Sequence, residues 1–254
     1  MTDPQRKPAV LVVGTGRAGG SFAAALAGAG WRVGTAGHEQ CPLLTGGELG
    51  RHDLVLLCVP DQAVAGCAEV LAAPDDTVVA HCAGSLGLEV LHPAARRASV
   101  HPLVSLPDPH LGSERLLGAW FAVAGDPIAR RVVDSLGGRS VEVTDDRRVA
   151  YHAAATVASN HLVGLLAQVE RIAAGAGVPL EAYLELARGS LDSVAALGPC
   201  RCPDRPGCTG RLGHRAGAPG SLPPGERAAY LAGVAQVALL AGREVPGSLG
   251  TFGP

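Results

Sequence analysis

The chain has 254 residues, 47% of them apolar, which provides for a sizeable core and excludes disorder as the overall class. A net charge of -2 and only 17% charged residues leave no basic surplus for gripping phosphate backbones, so nucleic-acid binding is not expected. No run approaches the ~18 to 20 apolar residues of a membrane span, and the run behind the basic leader lasts only from Ala9 to Val13, too short for a signal peptide; a cytoplasmic protein with no membrane contact is expected.

From Ala9 onward, short β-like runs alternate with helical or loop stretches, the pattern of βαβ units and a mainly parallel sheet. The first strand is Ala9 to Val13, followed by a helix from Ala18 to Ala29 and a second strand from Trp31 to Ala36. Further strands are expected at Leu54 to Val59, Thr77 to His81, Ala98 to His101, Phe121 to Ala124 and Ser140 to Val143. Several are apolar throughout, as strands buried on both faces should be. At Thr144, a suitable N-cap, the character changes to helix alone. Asp145 and Asp146 suit the positive end of a helix that continues to about Ala174. Two more helices span Pro179 to Leu197 and Gly225 to Arg243. The fold class is therefore α/β, a Rossmann-like doubly wound sheet over residues 1–144 followed by an all-helical domain over 145–254. The stretch from Gly198 to Gly220 fits neither pattern, since 17 of its 23 residues are Gly, Pro, Arg or Cys.

Gly14-Thr15-Gly16-Arg17-Ala18-Gly19 is a G-x-G-x-x-G turn between an apolar strand and a helix. The first glycine makes the turn, the second lets a pyrophosphate approach the backbone, and the third packs helix on strand. The second strand ends in Gly34-Thr35-Ala36-Gly37-His38 with no carboxylate, and Glu39 comes late. Arg17 and His38 could flank a 2'-phosphate, so NADP is expected over NAD. Both could also be ordinary surface residues. Val59 and Pro60 close another strand at the edge where nucleotide-fold ligands bind; Asp61 after them could equally cap a helix.

These residues, with His81-Cys82-Ala83-Gly84-Ser85-Leu86-Gly87, His101-Pro102-Leu103 and Tyr151-His152-Ala153-Ala154-Ala155, and with Ala158-Ser159-Asn160 on the same helix, resemble a bacterial family of Rossmann-like oxidoreductases whose C-terminal domain is of unknown function. That family is similar to pyrroline-5-carboxylate reductase, ketopantoate reductase and the 6-phosphogluconate dehydrogenase group. The resemblance implies an NADP domain followed by a helical dimerisation domain, and hence a homodimer. The hydroxyacid dehydrogenases of that group carry a catalytic lysine four residues before an asparagine. Counting back from Asn160 meets Thr156, which cannot serve as that acid, and Lys7 is the only lysine in the chain.

His152 or His101 could move a proton near neutral pH. At 100° per residue, His152, Thr156, Ser159, Asn160 and Val163 fall within one arc of the long helix, a stripe that could line a wet site or be satisfied within the core. Ser85, in a glycine-flanked loop, could hold a carboxylate or carbonyl oxygen of a small-molecule substrate; with no G-x-S-x-G it is not read as a nucleophile. Two functions compete: an NADP-dependent oxidoreductase acting on a small polar substrate between the two domains, and a non-catalytic dinucleotide sensor or scaffold.

The seven cysteines imply no disulfide framework, and Cys200, Cys202, Cys208 and His214 lack the usual Cys-x(2–4)-Cys spacing, so no metal is expected. After the second C-terminal helix the resemblance implies an Ala-Leu-Thr-Gly-Pro segment followed by Arg-Gly-Asp. One synonymous back-translation of Pro199 to His214, read one base later, encodes Arg-Ala-Ala-Ala-Leu-Thr-Gly-Pro-Val-Ala-Arg-Gly-Asp-Trp-Ala. A local change of reading frame is thus a candidate origin for the segment.

Overall fold

All five residues of β1 (Ala9–Val13) are buried, as a strand covered on both faces requires. The structure, a computed structural model, describes residues 6–199 and 224–240. The other strands are β2 (Arg32–Ala36), β3 (Leu54–Leu57), β4 (Val78–His81), β5 (Arg96–Pro102), β6 (Trp120–Gly125) and β7 (Arg139–Glu142). They form one sheet in the order β2-β1-β3-β4-β5-β6-β7, parallel throughout except where β5 meets β6. This is the mainly parallel α/β sheet that the alternating pattern implies. β5 starts two residues before the expected Ala98 because Arg96, whose charge masks the strand in sequence, binds Asp126 at 2.8 Å while its backbone stays in the ladder.

Side chains alternate between two layers of core. Val10, Val12, Leu54 and Leu56 face α1 (Arg17–Gly28), α4 (Pro109–Leu116) and α5 (Ile128–Ser135), where they meet Phe22, Leu26, Leu116 and Val132. Leu11, Val13, Val55 and Leu57 face the opposite layer, made by α2 (Gly46–Leu49) and α3 (Asp61–Val70), with Leu49, Val64, Cys67 and Ala68.

From Asp145 the chain is helical. A 3-10 turn (Asp145–Arg147) leads into α6 (Arg148–Thr156), a π-helical turn (Val157–His161) and α7 (Leu162–Ala174), followed by α8 (Leu180–Leu197) and α9 (Arg227–Leu240). The uninterrupted helix expected to Ala174 is therefore divided by the π-turn. Pro179 occupies the N-cap of α8 instead of its first turn. The chain divides into two compact units, 1–159 and 160–254. Residues 145–159 thus pack with the sheet, although their helical character groups them in sequence with the later helices. In the second unit, Gln168 donates to the Glu226 carbonyl at 3.0 Å and Arg171 pairs with the Glu226 carboxylate, tying α7 to the residues before α9. Cys200, Cys202, Cys208, His214 and the proposed out-of-frame segment lie outside the described residues. Among those described, no helix is long and apolar enough to cross a membrane.

Phe121 on β6 is fully buried, its ring 6.5 Å from that of Phe22 on α1. Phe121→Ala should cost about 3–5 kcal/mol through lost burial and a cavity between strand and helix. Denaturant unfolding checks this.

Candidate active site

The β1–α1 turn is built by backbone proximity. Gly14 has φ +97°, open to glycine at little cost, and a Cβ on it would stand 2.5 Å from the Cys58 carbonyl oxygen. A Cβ on Gly19 would overlap the Gly14 carbonyl oxygen. Gly16 is different, because a Cβ there would meet nothing within 4 Å. Two glycines thus close the turn against the body of the protein, and the middle one faces open space. Thr15, Gly16 and Arg17 are exposed, Ala18 is half-buried, and the amides of the first turn of α1 point outward, a geometry suited to a pyrophosphate. The residues fit a dinucleotide.

The turn is continuous with a second cluster. Cys58, against Gly14 and Gly19, is followed by Val59, buried beside Gly14, and by Pro60, the N-cap of α3. Asp61 then starts α3 and accepts a hydrogen bond from Ser85 Oγ at 2.7 Å. Next to Ser85, a Cβ on Gly84 would stand 2.8 Å from His152 Nδ1 and 2.9 Å from His101 Nε2. His101 at the end of β5 lies 2.5 Å through Nδ1 from the Tyr151 hydroxyl, and its ring meets those of Tyr151 and His152 edge-on.

Arg148, Tyr151 and His152 stand at i, i+3 and i+4 of α6 and share one face. Arg148 is 1% exposed; its Nε donates to Asp145 Oδ1 at 3.1 Å, and Asp145 Oδ2 accepts from the Leu88 amide at 3.1 Å. Both terminal nitrogens of Arg148 and the Nδ1 of His152 are buried without a hydrogen-bond partner. His81, fully buried at the end of β4, donates from Nε2 to the Gly87 carbonyl at 3.2 Å, which leaves Nδ1 as a buried acceptor with no partner.

Burial sets the protonation of the cluster. Loss of solvent lowers His101 to about 4, helped by the neighbouring His152 and by Arg148. Burial likewise lowers His81 to about 4, against its bond to Gly87 and with Arg148 adding to the shift. Tyr151 is pushed up to about 12 by burial, with Arg148 opposing. At neutral pH both imidazoles are neutral and the phenol keeps its proton.

Of the site residues expected from sequence, His101 and His152 meet beside Gly84. Ser85 is near them but is engaged with Asp61. Thr156, one turn beyond His152, ends α6 half-buried. Ser159 donates to the Ala155 carbonyl at 2.7 Å within the π-turn region, and Asn160 is the first residue of the second unit. Because hydrogen bonds in the π-turn run i→i+5, the 100° spacing behind the His152-to-Val163 stripe holds only to Thr156. Arg17 is exposed and makes no side-chain hydrogen bond or ion pair among the described residues; His38 is 3.3 Å from Glu39. Sequence reading names His81 in a motif and Asp145 at a helix start without a role in the site, and misses Arg148. Counting four residues back from His152, as well as forward, finds the arginine.

Residues 38–107 match the family described as a Rossmann-like domain, and residues 121–203 match the domain of unknown function DUF2520. The chain thus pairs a Rossmann-like domain with a DUF2520 C-terminal domain. An inferred NADP oxidoreductase from Bacteroides fragilis is similar over 92% of this chain and 96% of its own, at 14% identity and a TM-score of 0.66. A protein from Thermotoga maritima matches over 92% and 98%, at 22% identity and a TM-score of 0.64. An NADH-preferring ketol-acid reductoisomerase from an uncultured archaeon matches over 92% and 84%, at 17% identity and a TM-score of 0.59. At these identities the likeness is one of fold alone. No curated protein sequence matches significantly.

The lowered histidines make a stability prediction. Between about pH 6.5 and 4 the unfolded chain binds protons at His81 and His101 that the folded chain does not, so stability rises with pH through that window and is lost as pH falls through it. Thermal melts across pH 4–7 should show the fall, and His101→Gln should make it shallower.

Proposed function

We propose that the protein is an NADP-dependent oxidoreductase that handles a small polar substrate at the His101–Tyr151 pair. The observation that carries this reading is the unbroken path from the glycine turn, through Cys58, Asp61 and Ser85, to an imidazole bonded to a phenol at the same sheet edge. When bound, a nicotinamide dinucleotide supplies or accepts the hydride. The chain's own residues hold and move the proton. Tyr151, protonated at neutral pH, donates to His101 Nδ1, so the neutral ring carries its proton on Nε2. That Nε2–H can be passed to a substrate oxygen or nitrogen while the phenol proton follows to Nδ1; the reverse sequence serves oxidation. A histidine backed by a tyrosine thereby takes the place of the lysine that this chain lacks, which favours an enzyme over a dinucleotide sensor.

Arg17, exposed beside the turn and without a side-chain partner among the described residues, supports NADP through its 2'-phosphate. One observation favours NAD instead: a Cβ on Gly37, just past β2, would overlap the Glu39 carboxylate, so Glu39 folds back to the place where a ribose-binding acid stands in NAD enzymes. Calorimetric titration decides between them. NADPH is expected to bind more tightly than NADH, and Glu39→Gln to widen that preference; tighter NADH would assign NAD. Gly16→Val should abolish binding of both with little change in melting temperature, because the position faces open space, whereas Gly19→Val should unfold the turn itself.

We also propose a homodimer in the cytoplasm. α8 has no buried residue along its 18 positions, and Leu186 is 66% and Leu191 55% exposed, while Val163 on α7 is 68% exposed. Helix faces that apolar are normally covered, and a second copy of the chain is the simplest cover. Sedimentation at micromolar concentration should give a dimer.

A further inference from the structure

We propose that Arg148 is the recognition point for a substrate carboxylate, with His152 completing the contact, so that the substrate is a small carboxylic acid whose carbonyl, imine, hydroxyl or amine is the reacting group. The inference rests on the oxidoreductase reading and narrows its substrate class.

An arginine only 1% exposed is rare unless its donors are used, because a buried charge without partners is strongly unfavourable. Here Asp145 takes only Nε, and it is itself divided between Arg148 and the Leu88 amide. The two terminal nitrogens, which form the planar fork that matches a carboxylate edge, are shielded from solvent and bonded to nothing. One helical turn along the same face, His152 presents a third unpartnered buried nitrogen, Nδ1, and His101 lies beside it. Three orphaned nitrogens on one face of one helix form an unfilled hydrogen-bonding pattern. A packing arginine does not need it, and an oxygen-bearing ligand would satisfy it.

The chemistry selects the ligand. The charge of Arg148 is felt by the neutral rings of His81 and His101 and by the protonated Tyr151, and the carboxylates nearby are Asp145 at Nε, Glu89 bonded to Asp145, and Asp61 held by Ser85. With Asp145 already at Nε, the two remaining donors of the fork suit a planar monoanion. A phosphate dianion would bring a second negative charge into the same buried space beside two aspartates. The reacting carbon of such an acid would have to reach His101, which bonds Tyr151 on the α6 face that also carries the arginine.

The test uses the full chain with pyruvate, its neutral isostere pyruvamide, and inorganic phosphate as probes, read by calorimetry and thermal shift with and without NADPH. Pyruvate should bind and raise the melting temperature, pyruvamide should bind at least tenfold more weakly, and phosphate should give no response. Arg148→Met should fold with an unchanged or higher melting temperature, since it removes orphaned donors, and should lose the pyruvate response; Arg148→Lys, which keeps the charge without the fork, should weaken it at least tenfold. Equal binding of pyruvate and pyruvamide, a response to phosphate alone, an undiminished pyruvate response in both variants, or no response in the native protein would overturn the proposal. NADPH titration of Arg148→Met separates the two readings: retained nucleotide binding leaves the oxidoreductase assignment standing whatever the carboxylate result, and a native protein that binds no nucleotide removes that assignment first.

Discussion

Parallel pairing of β1, β3, β4 and β5 is the constraint that creates the site. Val13 is in register with Leu57, Leu57 with His81, and His81 with Ser99. Every one of these strands therefore ends at the same edge, and the residues at or just past their ends, Gly14, Cys58, Cys82 and His101, are delivered to one place. Parallel strands must be connected over the faces, so helices cover both sides and leave that edge as the one where loops can gather. The order β2-β1-β3 also means that the chain reverses its direction of winding between β1 and β3, and it is there that the glycine turn faces Cys58. Disturbing any one of the four strands would displace two neighbouring loops together.

Much of this arrangement is legible in the sequence because it depends on local patterns. β1, β3 and β4 read as continuous apolar runs, and each is buried at every position. The change to helix near Thr144 is equally plain, since acidic first-turn residues mark it locally, although the Thr144 side chain makes no capping hydrogen bond. What cannot be read locally is which of 20 arginines is buried. In composition Arg148 looks like one more solvated charge in an alanine-rich helix; its burial is decided by where α6 lies against the ends of β4 and β5. The π-turn is hidden for a similar reason, because Val157–His161 has no proline and no glycine and its wider hydrogen bonding reflects packing. The polar stripe fails just where the helix ceases to be ideal.

The glycines illustrate the same division. With 35 in the chain, a G-x-G-x-x-G match has little force by itself. Its force comes from distances: Gly14 and Gly19 are pinned to each other and to Cys58, whereas Gly16 is free of neighbours. Gly84, outside the G-x-G-x-x-G turn, is also confined, between two imidazoles. An alanine at Gly84 would separate His101 from His152, and nothing in the residue's sequence context marks it out.

Electrostatics links recognition to proton transfer if Arg148 takes a carboxylate. His101 is held low first by burial and then by its neighbours His152 and Arg148. The same guanidinium pulls Tyr151 downward against its burial. An anion on the fork would weaken that field at both groups, favouring a proton on the imidazole while opposing release of the phenol's own. His101 is a poor base chiefly because it is buried, and an anion on the fork would relieve only the smaller part of the shift that comes from Arg148. A buried arginine with idle donors is costly in a protein that needs it only for packing. It is reasonable in one where filling the fork is substrate binding and also favours a proton on the neighbouring imidazole.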